Sequence, residues 1–139
     1  MKLPKGVTNY RNEEWKDLKL GNVSAKHKYK ISNYGRIISY YYHDEGRLRS
    51  LGNVNGYKSL SVRDLTGKNM YLYAHRLVAE HFLEDPNPDQ TVIIHLDNNR
   101  HNNYYRNLMW ASERERFFFH MKKSPQVWKK FKPKGARAW

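Results

Sequence analysis

Closely spaced turn signals constrain the first half of this 139-residue chain more than any other feature. They occur at Ser32-Asn33-Tyr34-Gly35, at Asn55-Gly56 and at Thr66-Gly67-Lys68-Asn69. Asn and Gly favour tight turns because they tolerate positive φ angles, and Asn-Gly is the strongest short signal of a β-hairpin. The segments between the turns alternate polar and apolar residues, as half-buried strands do. Residues 13–73 are therefore predicted to form a small antiparallel β meander, with Gly35 at positive φ.

The apolar pattern changes period after residue 73. Residues 74–82 read AHRLVAEHF, and their apolar and histidine side chains recur at helical spacing. Asp85-Pro86-Asn87-Pro88 then ends the helix, because proline cannot donate a backbone hydrogen bond. The pattern predicts a helix that braces the meander.

A strand, a polar loop and a second helix are predicted in the segment that follows. Residues 91–94 are a β-branched run typical of a strand, and residues 97–103 form an Asn-rich loop. Ser112 and Glu115 have the spacing of a capping box, which predicts a helix over residues 111–121. The expected fold class is α+β, in the single compact domain that a chain of this length allows.

The chain carries a large excess of positive charge. It contains 26 Lys and Arg against 13 Asp and Glu, a formal net charge of +13. Such an excess repels itself unless a partner neutralises it, so a polyanion is the expected partner. Aromatic residues make up 14% of the chain, so stacking on nucleobases is available beside phosphate contacts.

The positive charge is concentrated toward the C-terminal end. From Arg116 onward the sequence contains eight Lys or Arg and no acidic residue. Residues 122–139 have too little apolar surface to fold alone and are predicted to form an extended basic tail. The tail is either a solubilising extension or a segment that orders on nucleic acid. In the second case, its expected contacts are Lys122, Lys123, Trp128, Lys129, Lys130, Lys132, Lys134 and Arg137.

The absence of cysteine excludes disulfides, thiolate zinc sites and thiol nucleophiles. The first residues lack an apolar stretch of the length that a secretory signal needs. No run anywhere approaches the roughly 18 apolar residues of a membrane span. A cytoplasmic protein with no membrane partner is expected.

A histidine after the predicted strand gives the clearest indication of chemistry. His95 is followed by the Asn-rich loop and a helix, which is the order that a ββα metal-dependent nuclease finger needs. In such a finger the histidine deprotonates water, and a loop amide fixes its tautomer. Ligands from the strand and the helix converge on one divalent ion.

The chain resembles the HNH homing endonucleases over residues 14 to about 116. The matching motifs are EWKDL at 14–18, YKISNYGRI at 29–37, NGY at 55–57, AHRLVAEHF at 74–82 and HLDNNRHNNYYRNLMW at 95–110. The resemblance implies that His95 is the general base and that Asn103 and Asn107 belong to the loop that positions it. Together with the residue patterns, it divides the chain into four expected regions: an N-terminal arm at 1–12, a β-rich nucleic-acid-binding module at 13–73, an HNH-like finger at 74–121 and a tail at 122–139.

Two positions depart from the metal site of that family. The resemblance places one ligand immediately before the histidine, where this chain has Ile94, and another on the following helix, where it has Arg116. An aliphatic side chain offers no ligand atom, and a guanidinium repels a metal ion. Loss of the divalent ion is therefore predicted, unless Asp97, Glu113 or His120 replaces a lost ligand.

These features favour a catalytically inactive HNH-endonuclease-like protein that binds structured nucleic acid as a structural component and needs no cofactor. RNA is favoured over duplex DNA, because cationic tails with isolated aromatics suit irregular folded RNA. Ribosomal RNA, with ribosomal proteins nearby, is the first candidate. Outside the tail, phosphate contacts are expected from Arg76, Arg100, Arg106 and Arg116. The alternative is an active Mg²⁺-dependent endonuclease that nicks DNA with His95 as general base.

Overall fold

The computed structural model describes residues 1–20, 28–41 and 43–122. Its strands are β1 (Trp15–Asp17), β2 (Tyr29–Ser32), β3 (Ile37–Ser39), β4 (Arg47–Leu48), β5 (Gly52–Val54), β6 (Tyr57–Arg63), β7 (Asn69–Tyr73), β8 (Val92–His95) and β9 (Leu108–Ala111). Its helices are α1 (Ala74–Phe82) and α2 (Glu113–Lys122), with a 3₁₀ turn at Tyr105–Asn107. Neither described helix is long and apolar enough to cross a membrane. The predicted α+β class is confirmed.

The predicted meander is divided into two antiparallel sheets. The first contains β1, β2, β3 and β4 in that order, and the second contains β5, β6 and β7. The sequence pattern does not predict β1 or β4, because these short edge strands lack alternation and are defined by backbone pairing with β2 and β3.

Left-handed backbone conformations occur where the turn sequences predict them. Gly35 joins β2 to β3 with φ at 88°, as expected. Asn55 and Gly56 join β5 to β6 with φ at 54° and 84°, which is typical of a type I′ hairpin turn. Gly67 occupies the turn between β6 and β7 with φ at 87°.

One hydrophobic core joins both sheets to α1. Ile31 and Ile37 of the first sheet and Leu60 of the second are almost fully buried. From α1, Leu77 and Val78 pack into the same cluster. The helix presents this stripe because residues three and four apart share one of its faces. The predicted bracing helix is thus confirmed.

The last three elements, β8, β9 and α2, form a ββα finger. The two strands are antiparallel, with Ile94 opposite Met109. The predicted capping box begins α2: the Ser112 N–H donates to Glu115 Oε1 at 3.0 Å, and the Glu115 N–H donates to Ser112 Oγ at 3.1 Å. These two bonds satisfy amides that the first helical turn leaves unpaired.

Candidate functional site

His95 lies at the end of β8, and its imidazole contacts a side chain from the following loop. Its Nε2 lies 2.9 Å from Oδ1 of Asn103, and both side chains are buried. Because an amide oxygen only accepts hydrogen bonds, this contact places the ring proton on Nε2 and leaves a lone pair on Nδ1. An imidazole in this tautomer can accept a proton at Nδ1.

Asp97 and Asn107 hold the Asn-rich loop together. Asp97 Oδ1 accepts from the Asn99 N–H at 2.8 Å and from Asn107 Nδ2 at 2.9 Å, and Asp97 Oδ2 accepts from Asn102 Nδ2 at 2.8 Å. Burial raises the pKa of Asp97, but these hydrogen bonds bring it below its ordinary value. Asn107 Oδ1 in turn accepts the Asp97 N–H at 3.1 Å. Both side-chain oxygens of Asp97 therefore accept hydrogen bonds within the loop. Asn107 does not contact His95 in these bonds but stabilises the loop that carries Asn103.

The turn between β2 and β3 packs directly against this loop. A Cβ at Gly35 would lie only 2.9 Å from the Cβ of Asn103. Nearby, the Tyr105 N–H donates to the carbonyl oxygen of Asn33 at 2.9 Å. The first sheet therefore helps to fix the position of the Asn103 side chain relative to His95.

A second histidine, His75 at the start of α1, lies against His95. Their ring centroids are 5.1 Å apart, and the Tyr57 ring lies 4.8 Å from His75. Burial lowers the pKa of His75 to about 4, and electrostatic interactions with His95 and Arg76 act in the same direction. Burial also lowers the pKa of His95, although the hydrogen bond with Asn103 opposes this shift. Both imidazoles are therefore neutral at pH 7.

The residues at the two expected ligand positions do not fit a divalent metal ion. Ile94 is 2% exposed and packs with Met109 and Phe119 in a small core between the hairpin and α2. Arg116 is exposed on α2, with Nη2 2.5 Å from Oε2 of Glu113. In the described part of the chain, no three His, Asp or Glu side chains come together as possible ligands.

A cleft of about 990 Å³ opens between α2, the end of β8, the Asn-rich loop and Tyr57 at the start of β6. Arg100 and Arg116 both line this cleft. Arg100 reaches from the Asn-rich loop to the hairpin turn, where Nη1 donates to the carbonyl oxygen of Asn55 at 3.1 Å. Its guanidinium lies 4.9 Å from the centroid of the Tyr57 ring. Two guanidinium groups in one cleft favour an anionic ligand.

Arg76 and Arg106, the other two arginines predicted to bind nucleic acid outside the tail, do not line the cleft. Arg76 Nε is 3.5 Å from Oε1 of Glu80, the i+4 pairing that the sequence allows. Arg106 Nε donates to the Tyr105 hydroxyl at 3.1 Å. The tail residues lie outside the described residues, apart from the backbone of Lys122 in α2. The tail contacts therefore stay predictions.

Sequence reasoning did not assign Tyr57, Phe117 or Met121 to the site. Phe117 and Met121 lie on α2 and line the cleft together with Tyr57. An exposed Phe followed by Met at i+4 on a charged helix is a signal that could have been found. Tyr57 carries no such signal, because it approaches His95 only when the second sheet folds against the finger.

The fold and the site geometry define an HNH endonuclease domain. The HNH endonuclease family matches residues 72–116, which include α1, β8, β9 and the start of α2. The chain is homologous to the DNA endonuclease I-HmuI of Bacillus phage SP01, with 32% identity over 102 residues, 73% of this chain and 53% of I-HmuI. It is also 28% identical over 106 residues to the uncharacterized HNH endonuclease L245 of Acanthamoeba polyphaga mimivirus, covering 76% of this chain and 31% of L245.

A solved structure of I-HmuI has the same fold. It is described as "DNA binding and cleavage by the HNH homing endonuclease I-HmuI" and matches with a TM-score of 0.63 and 29% identity. The match covers 79% of this chain and 59% of that chain. The chain thus spans little more than half of I-HmuI and about a third of L245. The expected resemblance to HNH homing endonucleases is confirmed, and with it an HNH-endonuclease-like, nucleic-acid-binding fold.

Proposed function

We propose that this chain binds nucleic acid through its HNH-type domain without metal-dependent cleavage. The observation that carries the proposal is the pair Ile94 and Arg116, a hydrocarbon in the finger core and a guanidinium in the cleft. Metal-assisted hydrolysis needs an ion that activates water and neutralises charge developing on the phosphate. A guanidinium can bind the phosphate directly, but it cannot ligate that ion. A phosphate held by Arg116 and Arg100 is therefore bound and not cut.

DNA is the first candidate partner. I-HmuI is a DNA endonuclease, and its solved structure concerns DNA binding and cleavage. Structured RNA, including ribosomal RNA, is the second candidate. It is supported by the composition of residues 116–139, where eight cations and several aromatics occur without an acidic residue. Competition between duplex DNA and folded RNA at matched salt ranks the two, because salt controls both affinities.

An active endonuclease is the alternative function. The contact between His95 and Asn103 and the homology to I-HmuI favour it. Under this alternative, Mg²⁺ needs replacement ligands, and Glu113 and His120 are candidates because both line the cleft.

Incubation with supercoiled plasmid separates binding from cleavage. We expect the purified chain to retard the plasmid in a gel while leaving it covalently closed in Mg²⁺ or Mn²⁺. The control is His95→Ala, because nicking by a contaminating nuclease persists in that variant. Nicking by the wild type that disappears with His95→Ala would show that cleavage is retained. Failure to retard either DNA or folded RNA would contradict nucleic-acid binding itself.

A further inference from the structure

The cleft beside α2 combines two kinds of side chain that nucleotide recognition uses. Arg100 and Arg116 supply guanidinium groups for a phosphate. Tyr57, Phe117 and Met121 supply aromatic and apolar surface in the same cleft. This pairing matches the chemistry of a nucleotide, in which a flat base is attached to a charged backbone.

The apolar side chains of this cleft are exposed on the helix. Phe117 and Met121 are each 60% exposed, and their spacing of four residues places them on one face of α2. The helix packs through other residues, among which Phe119 is buried in the finger core. The face with Phe117 therefore contributes little to the folding of the finger and is available to a ligand.

Tyr57, which also lines the cleft, is held in place by ring contacts. The Tyr57 ring lies 4.9 Å from the guanidinium of Arg100 and 4.8 Å from the imidazole of His75. The cleft volume of about 990 Å³ lies at the upper end of the roughly 300–1,000 Å³ typical of ligand sites. It therefore has room for a nucleotide.

A base can stack on the Phe117 ring only if its own face is exposed. In an intact duplex the faces of the bases are covered by their neighbours, so a side chain reaches only their edges. A base in a single strand, a gap or a flipped position exposes its face and can stack on an aromatic ring. An aromatic ring in the same cleft as two guanidinium groups therefore discriminates in favour of unpaired bases.

On the basis of the proposed function, we infer that this cleft binds one unstacked nucleotide, with its phosphate at Arg100 and Arg116 and its base against Phe117. Charge argues for this occupant, because a second copy of a chain with net charge +13 would be repelled. The exposed pair between Arg116 and Glu113 contributes little, so the guanidinium can exchange the carboxylate for a phosphate. The domain therefore prefers single strands to intact duplex.

The test measures fluorescence anisotropy with two labelled probes in metal-free buffer, a dT strand of about 12 nucleotides and a hairpin duplex of similar length. We expect the wild type to prefer the strand. Phe117→Ala should weaken strand binding about tenfold and change duplex binding less than about twofold, because stacking on an aromatic contributes roughly 1–3 kcal/mol per base. Tyr71→Ala is the matched control, because Tyr71 is 62% exposed on β7 and does not line the cleft.

The outcomes separate this inference from the proposed function. Equal binding of the two probes, with no effect of Phe117→Ala, would overturn the inference while leaving nucleic-acid binding intact. A wild-type dimer that Phe117→Ala dissociates in sedimentation would assign the face to a second copy and also overturn it. A chain that binds neither probe would overturn the proposed function itself.

Discussion

At the scale of single residues, the chemistry of the site depends on two neighbouring side chains of β8. Ile94 packs into the finger core, whereas His95 contacts His75 and Asn103, because successive strand residues point to opposite faces. Burial of an isoleucine stabilises the folded state by about 1.5–3 kcal/mol. The position before the histidine therefore contributes to folding in this chain, where the related nucleases are expected to place a ligand.

The half-buried His75 predicts an acid-sensitive fold. Its pKa in the folded state, about 4, lies below the ordinary value of 6.5. The neutral imidazole therefore makes its full contribution to the stability of the folded state above pH 6.5, and this contribution is lost as the pH falls toward 4. After allowance for partial solvent exposure, we expect a loss of about 1 kcal/mol in the free energy of unfolding between pH 7 and pH 5. Urea denaturation at each pH measures this loss.

The variant His75→Phe should reduce that loss, because phenylalanine keeps the ring contacts and has no proton to bind. His43 is exposed, so His43→Phe should leave the pH dependence unchanged. A wild-type pH profile retained in His75→Phe would assign the acid sensitivity to other groups.

At the scale of elements, the Asn-rich loop of the finger packs against the turn between β2 and β3, which lies far away in the sequence. The turn of the first sheet contacts the Asn-rich loop through Gly35 and through the bond from Tyr105 to Asn33. Asn103 is therefore positioned by residues about 70 places earlier in the chain, and the orientation of His95 follows from that packing. The first sheet and the finger are therefore in direct contact at this point.

The variant Gly35→Ala tests this contact. The positive φ alone is expected to cost an alanine about 1 kcal/mol, and the approach of the new Cβ to Asn103 at 2.9 Å adds to that cost. Gly67→Ala is a matched control, because Gly67 also has positive φ but would place its Cβ in open space. We expect Gly35→Ala to lower the free energy of unfolding more than Gly67→Ala, and to shift the His95 imidazole nitrogen resonances in NMR spectra. If the two variants lower the free energy of unfolding equally and the His95 signal is unchanged, the turn at Gly35 does not position Asn103.

At the scale of the whole molecule, net charge and local geometry make different contributions to binding. The charge of +13 attracts any nucleic acid and speeds association. Only Arg100 and Arg116, among the four arginines predicted outside the tail, line one cleft. Long-range attraction therefore belongs to the chain as a whole, whereas position and selectivity belong to the cleft.

The dependence of affinity on salt separates these contributions. For single strands, each phosphate contact changes the slope of log K against log salt by about −0.7. Because the two guanidinium groups are proposed to hold one phosphate, the double variant Arg100→Gln/Arg116→Gln should flatten the slope by about 0.7. Lys2→Gln/Lys5→Gln removes the same charge at exposed positions near the N-terminus and should change the slope less. Equal effects of the two double variants would mean that the charge acts without a defined phosphate site.

The local features of the fold could be predicted from the sequence because each depends on residues close together in the chain. The turns at Gly35 and at Asn55-Gly56 follow from residues that tolerate positive φ. The capping box of α2 and the buried stripe of α1 follow from helical spacing. The position of His95 at the end of a strand was also predictable, as were the hydrogen bonds of Asp97 with Asn99 and Asn102, because these bonds span only a few residues.

Only the tertiary structure decided the make-up of the cleft. Arg100, Tyr57 and Arg116 come from a loop, a sheet and a helix whose mutual approach depends on packing between distant segments. For the same reason the sequence did not predict that Gly35 supports Asn103, or that Arg76 and Arg106 lie outside the cleft. Short-range hydrogen bonds and side-chain periodicity are determined by residues that are neighbours in the sequence. The distance between two side chains on different elements is determined by the packing of the whole core.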